Sequence, residues 1–159
     1  MVQNIHPALA LFKGPLFPYS PPQDHPKRTE AEMIRGVRKV IVPVDDQEGA
    51  KEFWTTRVGF NVVQDAQHGG GNRWLEVTPP DRGVILVLSP RGSGDARREV
   101  SDQLPHSDVF FTCDDIQATH GELAGRGVRF PTPPTQMPFG WWALFEDHEG
   151  TRYALGEWS

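Results

Sequence analysis

The stretch Phe139 to Trp158, FGWWALFEDHEGTRYALGEW, repeats in altered form an earlier one, Asn72 to Pro90, NRWLEVTPPDRGVILVLSP. In each copy a tryptophan, Trp74 or Trp141, opens a run in which apolar and other residues alternate. A polar turn containing Gly83 or Gly150 follows, and a second alternating run ends in Leu88 or Leu155. Period-two alternation on both sides of a short turn predicts a β-hairpin.

Upstream of each hairpin the match continues. Arg38 to Asp46, RKVIVPVDD, corresponds to Ser107 to Asp115, SDVFFTCDD, and each leads into an amphipathic helical segment and a further short strand. Asp45 with Glu48, and Asp114 with Gln117, have the spacing of a helix-opening capping box, while Gly59 and Gly127 stand where a left-handed cap ends a helix. In the first helix Ala50, Phe53, Trp54 and Arg57 share one face; in the second Ile116, Thr119, Leu123 and Arg126 do. The unit is thus βαβββ, present twice at a spacing of 67 to 69 residues. A repeat of this kind decides the fold. We expect an α+β protein whose two βαβββ modules make a mostly antiparallel, eight-stranded open sheet around a cleft.

Module one covers 36–90 and module two 107–158, joined by a linker over 91–106. Residues 1–34 contain six prolines, from Pro7 to Pro26, and no hydrophobic period, which predicts a tail; Met33 could serve as the natural start. The loops AQHGGGN (66–72) and PTPPTQMPFG (131–140) occupy equivalent places. The first reads as a flexible connector and the second as a stiffer lid carrying Met137 and Phe139.

A formal charge of -5 and a pI near 5.6 exclude the basic face that nucleic acid or an anionic membrane would select. No apolar run approaches the roughly 20 residues that span a bilayer. The lone cysteine, Cys113, permits no disulfide within the chain, as in a reducing compartment, so a cytoplasmic location is expected.

Alternation also separates the strand faces. Val40, Val42 and Val44, then Val109, Phe111 and Cys113, form the helix-facing set, with Leu75, Val77, Leu86, Leu88, Trp142, Leu144, Tyr153 and Leu155. That leaves Lys39, Ile41, Trp74, Glu76, Ile85 and Val87, with Asp108, Phe110, Trp141, Ala143, Phe145, Arg152 and Ala154, for the opposite, concave side. Aromatic walls with converging charges, Lys39, Glu76, Asp108 and Arg152, describe a small-molecule pocket; the alternative is that these charges pair with each other and only fix the packing of the two halves.

Two βαβββ units with VPVDD, a Gly-Phe or Gly-Val after the helix, and FEDHEGTRYALG near the C-terminus resemble the vicinal oxygen chelate superfamily of glyoxalase I, bleomycin-resistance proteins and extradiol dioxygenases. The resemblance covers about residues 36–158, with His148 and Glu149 replacing the usual Pro-Asp of the closing motif. It implies four metal-ligand positions, which here hold Lys39, Val87, Asp108 and Ala154. Only Asp108 is a carboxylate, so no metal and no other cofactor is expected. Of the six histidines only His106 lies near a first strand, and with Glu76 and Asp108 it makes a shifted metal site the one alternative. The expectation is a binding protein for an amphipathic or aromatic compound, contacted by Lys39, Ile41, Trp74, Glu76, Val87, Asp108, Phe110, Trp141, Phe145, Arg152 and Ala154. The alternative is a lyase, isomerase or dioxygenase using Glu76 or Asp108 as general base. The modules pair within one chain or exchange between two chains, and a homodimer is expected.

Overall fold

The repeat appears as one order of elements met twice in the computed structural model, which describes residue 34, residues 36–92 and residues 99–158. Module one runs through β1 (Lys39–Val44), α1 (Gln47–Glu52), a π-helical stretch (Phe53–Val58), β2 (Asn61–His68), β3 (Asn72–Thr78) and β4 (Ile85–Pro90). Module two runs through β5 (Phe110–Thr112), α2 (Ile116–Gly125), β6 (Arg129–Met137), β7 (Gly140–Glu146) and β8 (Arg152–Glu157). The tail expected over residues 1–34 lies, except for Ile34, outside the described residues.

Each module makes one open sheet of four strands, ordered β1-β4-β3-β2 and β5-β8-β7-β6. First and fourth strands pair in parallel and the other pairs are antiparallel. The α+β architecture is the expected one, with its eight strands divided between two sheets. The ladders also reproduce the repeat: Ile41 lies beside Val87 as Phe110 lies beside Ala154.

Local chemistry explains the element ends, with two shifts from expectation. Each helix starts one residue later than the capping-box pattern implies. Asp46, not Asp45, accepts from the Glu48 amide at 3.0 Å, and Asp115, not Asp114, accepts from the Ala118 amide at 2.9 Å. An aspartate in extended backbone can reach the second or third helical amide, and both do so here. Asp45 instead pairs with Arg91 at 2.8 Å. Gly59 and Gly127, at φ of +91° and +82°, end the helical segments as predicted.

The loops also shrink. Ala66, Gln67 and His68 belong to β2, leaving Gly69–Gly71 as the turn. Residues 131–137 are not a lid but most of β6, an edge strand with two register shifts. Prolines are tolerated there because an edge strand and its bulges leave backbone positions that need donate no ladder bond.

The core joins the two modules. Trp54, fully buried on the π-helical stretch, packs against Phe60 of its own module and against Phe111 and Tyr153 of module two, at ring-centroid distances of 5.2, 5.4 and 5.2 Å. Val42, Val44, Leu75, Val77, Leu86 and Leu88 enter the same cluster as Ala143, Phe145, Tyr153 and Leu155. The helix-facing sides of both sheets therefore meet within one chain, and the opposite faces lie outside that core. Glu149, in the turn after β7, strengthens the junction by accepting from the Asp45 and Asp46 amides at 2.7 Å each.

Candidate functional site

On the outer face of sheet one, β1 and β3 bring Lys39, Trp74 and Glu76 together. Glu76 is 2% exposed. Its Oε1 accepts from Lys39 Nζ and, at 2.6 Å, from Trp74 Nε1. Burial pushes this carboxyl upward, but the Lys39 and Trp74 hydrogen bonds prevail and hold it below the ordinary range. Lys39 Nζ also lies 5.9 Å from the centre of the Trp74 ring. Ile41, 65% exposed, continues this face at the sheet edge, with Ile85 and Val87 buried beside it.

Sheet two carries a chain of aromatic rings on its own outer face. Phe110 lies 5.7 Å from Trp142, which lies 6.0 Å from Phe139 and 6.3 Å from Trp158, and Phe139 stacks on Trp158. Leu144 and Ala154 pair across the ladder on the same face. Arg152 is held by the linker: its amide donates to His106 Nδ1 at 3.0 Å, its Nη2 approaches His106 Nε2, and its Nη1 donates to the Ser101 carbonyl at 3.2 Å.

The structure thus unites Lys39, Trp74 and Glu76 and places Phe110, Arg152 and Ala154 on the corresponding face of the other sheet. It moves two expected site residues. Phe145 and Trp141 lie on the helix-facing side: Phe145 stacks on Tyr153 at 5.4 Å and is buried, and Trp141 packs against the core cluster. Ala143 goes with them, and Trp142 and Leu144 take the outer positions. The reason is turn length. Eight residues separate the paired Val77 and Leu86, whereas seven separate the paired Phe145 and Tyr153. One residue fewer flips every side chain of the preceding strand relative to a copy of module one. Trp142, not Trp141, is therefore the counterpart of Trp74, and Phe139 and Trp158 complete a surface that sequence reasoning missed. Counting the turn between ladder partners is the signal that would have found it.

Asp108 lies just ahead of β5, exposed, beside a cavity between the modules rather than next to Glu76. His106 is engaged by Arg152, and Glu76 by Lys39 and Trp74, so the shifted metal site has no common centre. Among the described residues no three His, Cys, Asp or Glu side chains converge as metal ligands. None of the described helices is long and apolar enough to cross a membrane.

Paired sheets of this order, with one helix behind each, define a known class, and the sequence profile of the Glyoxalase/Bleomycin resistance protein/Dioxygenase superfamily matches residues 36–155. The chain belongs to that superfamily. It is 37% identical over 125 residues to the protein YetH of Bacillus subtilis (strain 168), covering 79% of this chain and all of the relative. Among solved structures, TnmS3, described as an antibiotic binding protein from Streptomyces sp. CB03234, is 32% identical with a TM-score of 0.64, covering 79% of this chain and 98% of that one. A superfamily member from Sphaerobacter thermophilus DSM 20745 is 27% identical with a TM-score of 0.67, covering 78% and 98%.

Proposed function

We propose that the protein is a metal-independent binder of an aromatic or amphipathic small molecule. The observation that carries this reading is the run of rings Phe110, Phe139 and Trp158, all exposed, around the half-buried Trp142 on the outer face of sheet two. Rings left half in water on a sheet face make a stacking surface for a flat apolar ligand, and their burial supplies most of its affinity. The similarity to TnmS3, described as antibiotic-binding, supports a ligand of drug-like size.

In one chain the outer faces of the two sheets lie on the far sides of a common core. A cleft between them forms when sheet one of one copy meets sheet two of another, so the binding form is a homodimer. The Lys39–Glu76–Trp74 group then faces Phe110 and Trp142 across the ligand and selects its polar end.

The inherited metal positions do not fit a divalent ion. Val87 and Ala154 offer no donor atom, and Lys39 brings a cation already bonded to Glu76. The donor chemistry of these four positions is thus that of a site that has lost its metal. Glu76 also makes a poor general base, because the bonds that lower its proton affinity occupy the oxygen facing Lys39 and Trp74.

The test is a panel of polycyclic aromatic compounds read by thermal shift and tryptophan quenching, with and without a chelator. Stabilising ligands whose affinity falls by about 1 to 4 kcal/mol in Trp142→Ala, unchanged by the chelator, are expected. One equivalent of bound metal, lost together with ligand binding on chelation, would overturn the reading.

A further inference from the structure

A second site lies elsewhere in the molecule, between the modules on the helix-facing side. There a cavity of about 560 Å³ is walled by residues of both modules, among them Val40, Val58, Phe60, Val84, Phe111 and Leu123. Its volume falls in the range of small-molecule pockets. Most of its apolar wall is helix-facing, and Phe110 of the outer face stands at its rim.

The cavity has a cause in the packing of the two helical segments. α1 packs chiefly on β3 and β4, and α2 on β6, β7 and β8, and of the first strands Val42 and Val44 are buried while other helix-facing side chains are not. Val40, Val109, Phe111 and Cys113 carry the helix-facing period, yet they remain only partly buried at the edge of the core, together with Val58 and Phe60. Apolar side chains held in this state leave uncovered area that a bound ligand can remove from water. Two features mark the wall further. The π-helical stretch, a rare geometry that recurs at functional sites, contributes Trp54 and Val58. Trp54 itself has a buried indole N–H with no hydrogen-bond partner among the described residues, a donor that ordinary packing would satisfy.

The charges at the mouth indicate the ligand's sign. Asp81 and Glu122 line the cavity with the guanidinium of Arg126 among the described residues. That guanidinium is already bonded to Glu122. Asp81 sits in the turn before β4, where its Oδ1 caps the Gly83 amide at 2.9 Å. A cation is favoured at such a mouth and an anion is repelled. Behind it stand Phe60 and Phe111, whose faces attract cations as well as apolar groups.

We infer that this inter-module cavity is a binding site for a compact aromatic amine, its ring system lodged between Phe60, Phe111 and Leu123 and its positive charge beside Asp81. The site shares Phe110 with the outer face at its rim, whereas Phe60, Phe111 and Leu123 belong to the cavity and neither Trp74 nor Trp142 lines it.

Ethidium, a flat aromatic cation, serves as the probe on the full-length protein at about 150 mM salt, where long-range attraction to the acidic chain is screened. Its fluorescence should rise saturably on binding. Val84→Trp, which fills the cavity from the turn, should weaken binding by about tenfold or more, and Asp81→Lys, an exposed change that adds no bulk inside, by about tenfold. The titrations are repeated in Trp142→Ala, which removes a stacking ring of the outer face, and there ethidium should still bind at one site per chain and still lose affinity with Asp81→Lys. Anilinonaphthalene sulfonate, an aromatic anion, should bind this site at least about tenfold more weakly than ethidium. Melting curves establish that each variant is folded; if Val84→Trp is not, Asp81→Lys decides alone. Ethidium affinity insensitive to Asp81→Lys in the Trp142→Ala background would overturn the proposal while leaving the outer-face site standing.

Discussion

Glu76 shows how one buried charge is tolerated. A carboxylate 2% exposed requires partners, and it has an ammonium and an indole N–H. Lys39→Met should therefore destabilise the fold by about 1 to 3 kcal/mol in urea titrations, leaving an uncompensated buried charge, and Glu76→Gln should cost less. The double variant should recover part of the loss, since it leaves no charge unpaired; strictly additive losses would mean that the two residues act separately. Asp65 offers the pH counterpart. Hydrogen bonds from Arg73, at 2.7 Å through two guanidinium nitrogens, and from Lys51 hold its carboxyl well below its ordinary value of 3.8. A group depressed in the fold contributes stability above its unfolded value and loses it as pH falls through the lower folded value. Stability should thus decline as pH drops below about 4, and Asp65→Asn should be less stable near neutrality with a shallower acid decline. Asp147 acts in the opposite sense: burial raises its carboxyl against the bonds from Thr151, Tyr153 and Glu149, so it subtracts stability as pH rises through the carboxylate range. A steeper acid decline in Asp65→Asn would contradict this assignment.

Two adjacent strands decide which aromatics bind and which hold the core together. β7 carries Trp141, Ala143 and Phe145 inward and Trp142 and Leu144 outward because its turn to β8 is one residue shorter than its counterpart in module one. Phe145 touches the rings of Trp54, Phe111, Phe130 and Tyr153. Phe145→Ala should accordingly cost about 3 to 5 kcal/mol of stability. Trp142→Ala, whose ring meets Phe110, Phe139 and Trp158 of the outer aromatic run, should lower ligand affinity with a much smaller effect on unfolding. Equal losses of stability in the two variants would return both rings to the core. The edge strand β6 makes a related point, since its three prolines look like a loop until the ladder to β7 shows which backbone positions are free.

At the scale of the whole molecule, one chain shares a single core between its modules and turns the two outer faces away from it. Large apolar side chains stay exposed on both: Ile41 at 65%, Phe110 at 57% and Phe139 at 54%. Faces of this kind are covered by a partner in stable assemblies. Sedimentation should show a dimer at micromolar concentration, and an aromatic ligand should tighten it, because a site built from two copies is completed by their association. A monomer that binds the ligand panel with unchanged affinity would remove the two-copy cleft.

The amino-acid sequence by itself determined the repeat, the order of elements in each module and most of the core, because these follow from local periods: alternation in strands, 3.6-residue spacing in helices, and glycine where the backbone turns left-handed. It also placed Lys39, Trp74 and Glu76 on one face, since module one keeps simple alternation across its hairpin. Tertiary structure decided what depends on pairing. The register of β7 against β8 exchanged Trp141 and Phe145 for Trp142, a change that no single strand encodes. The division of eight strands into two sheets, the place of Asp108 beside the inter-module cavity and the cavity itself depend on contacts between distant residues, such as those Trp54 makes across both modules. Such contacts join residues about 57 to 99 positions apart, Trp54 with Phe111 and Tyr153, and no local pattern specifies which distant side chain fills a given gap.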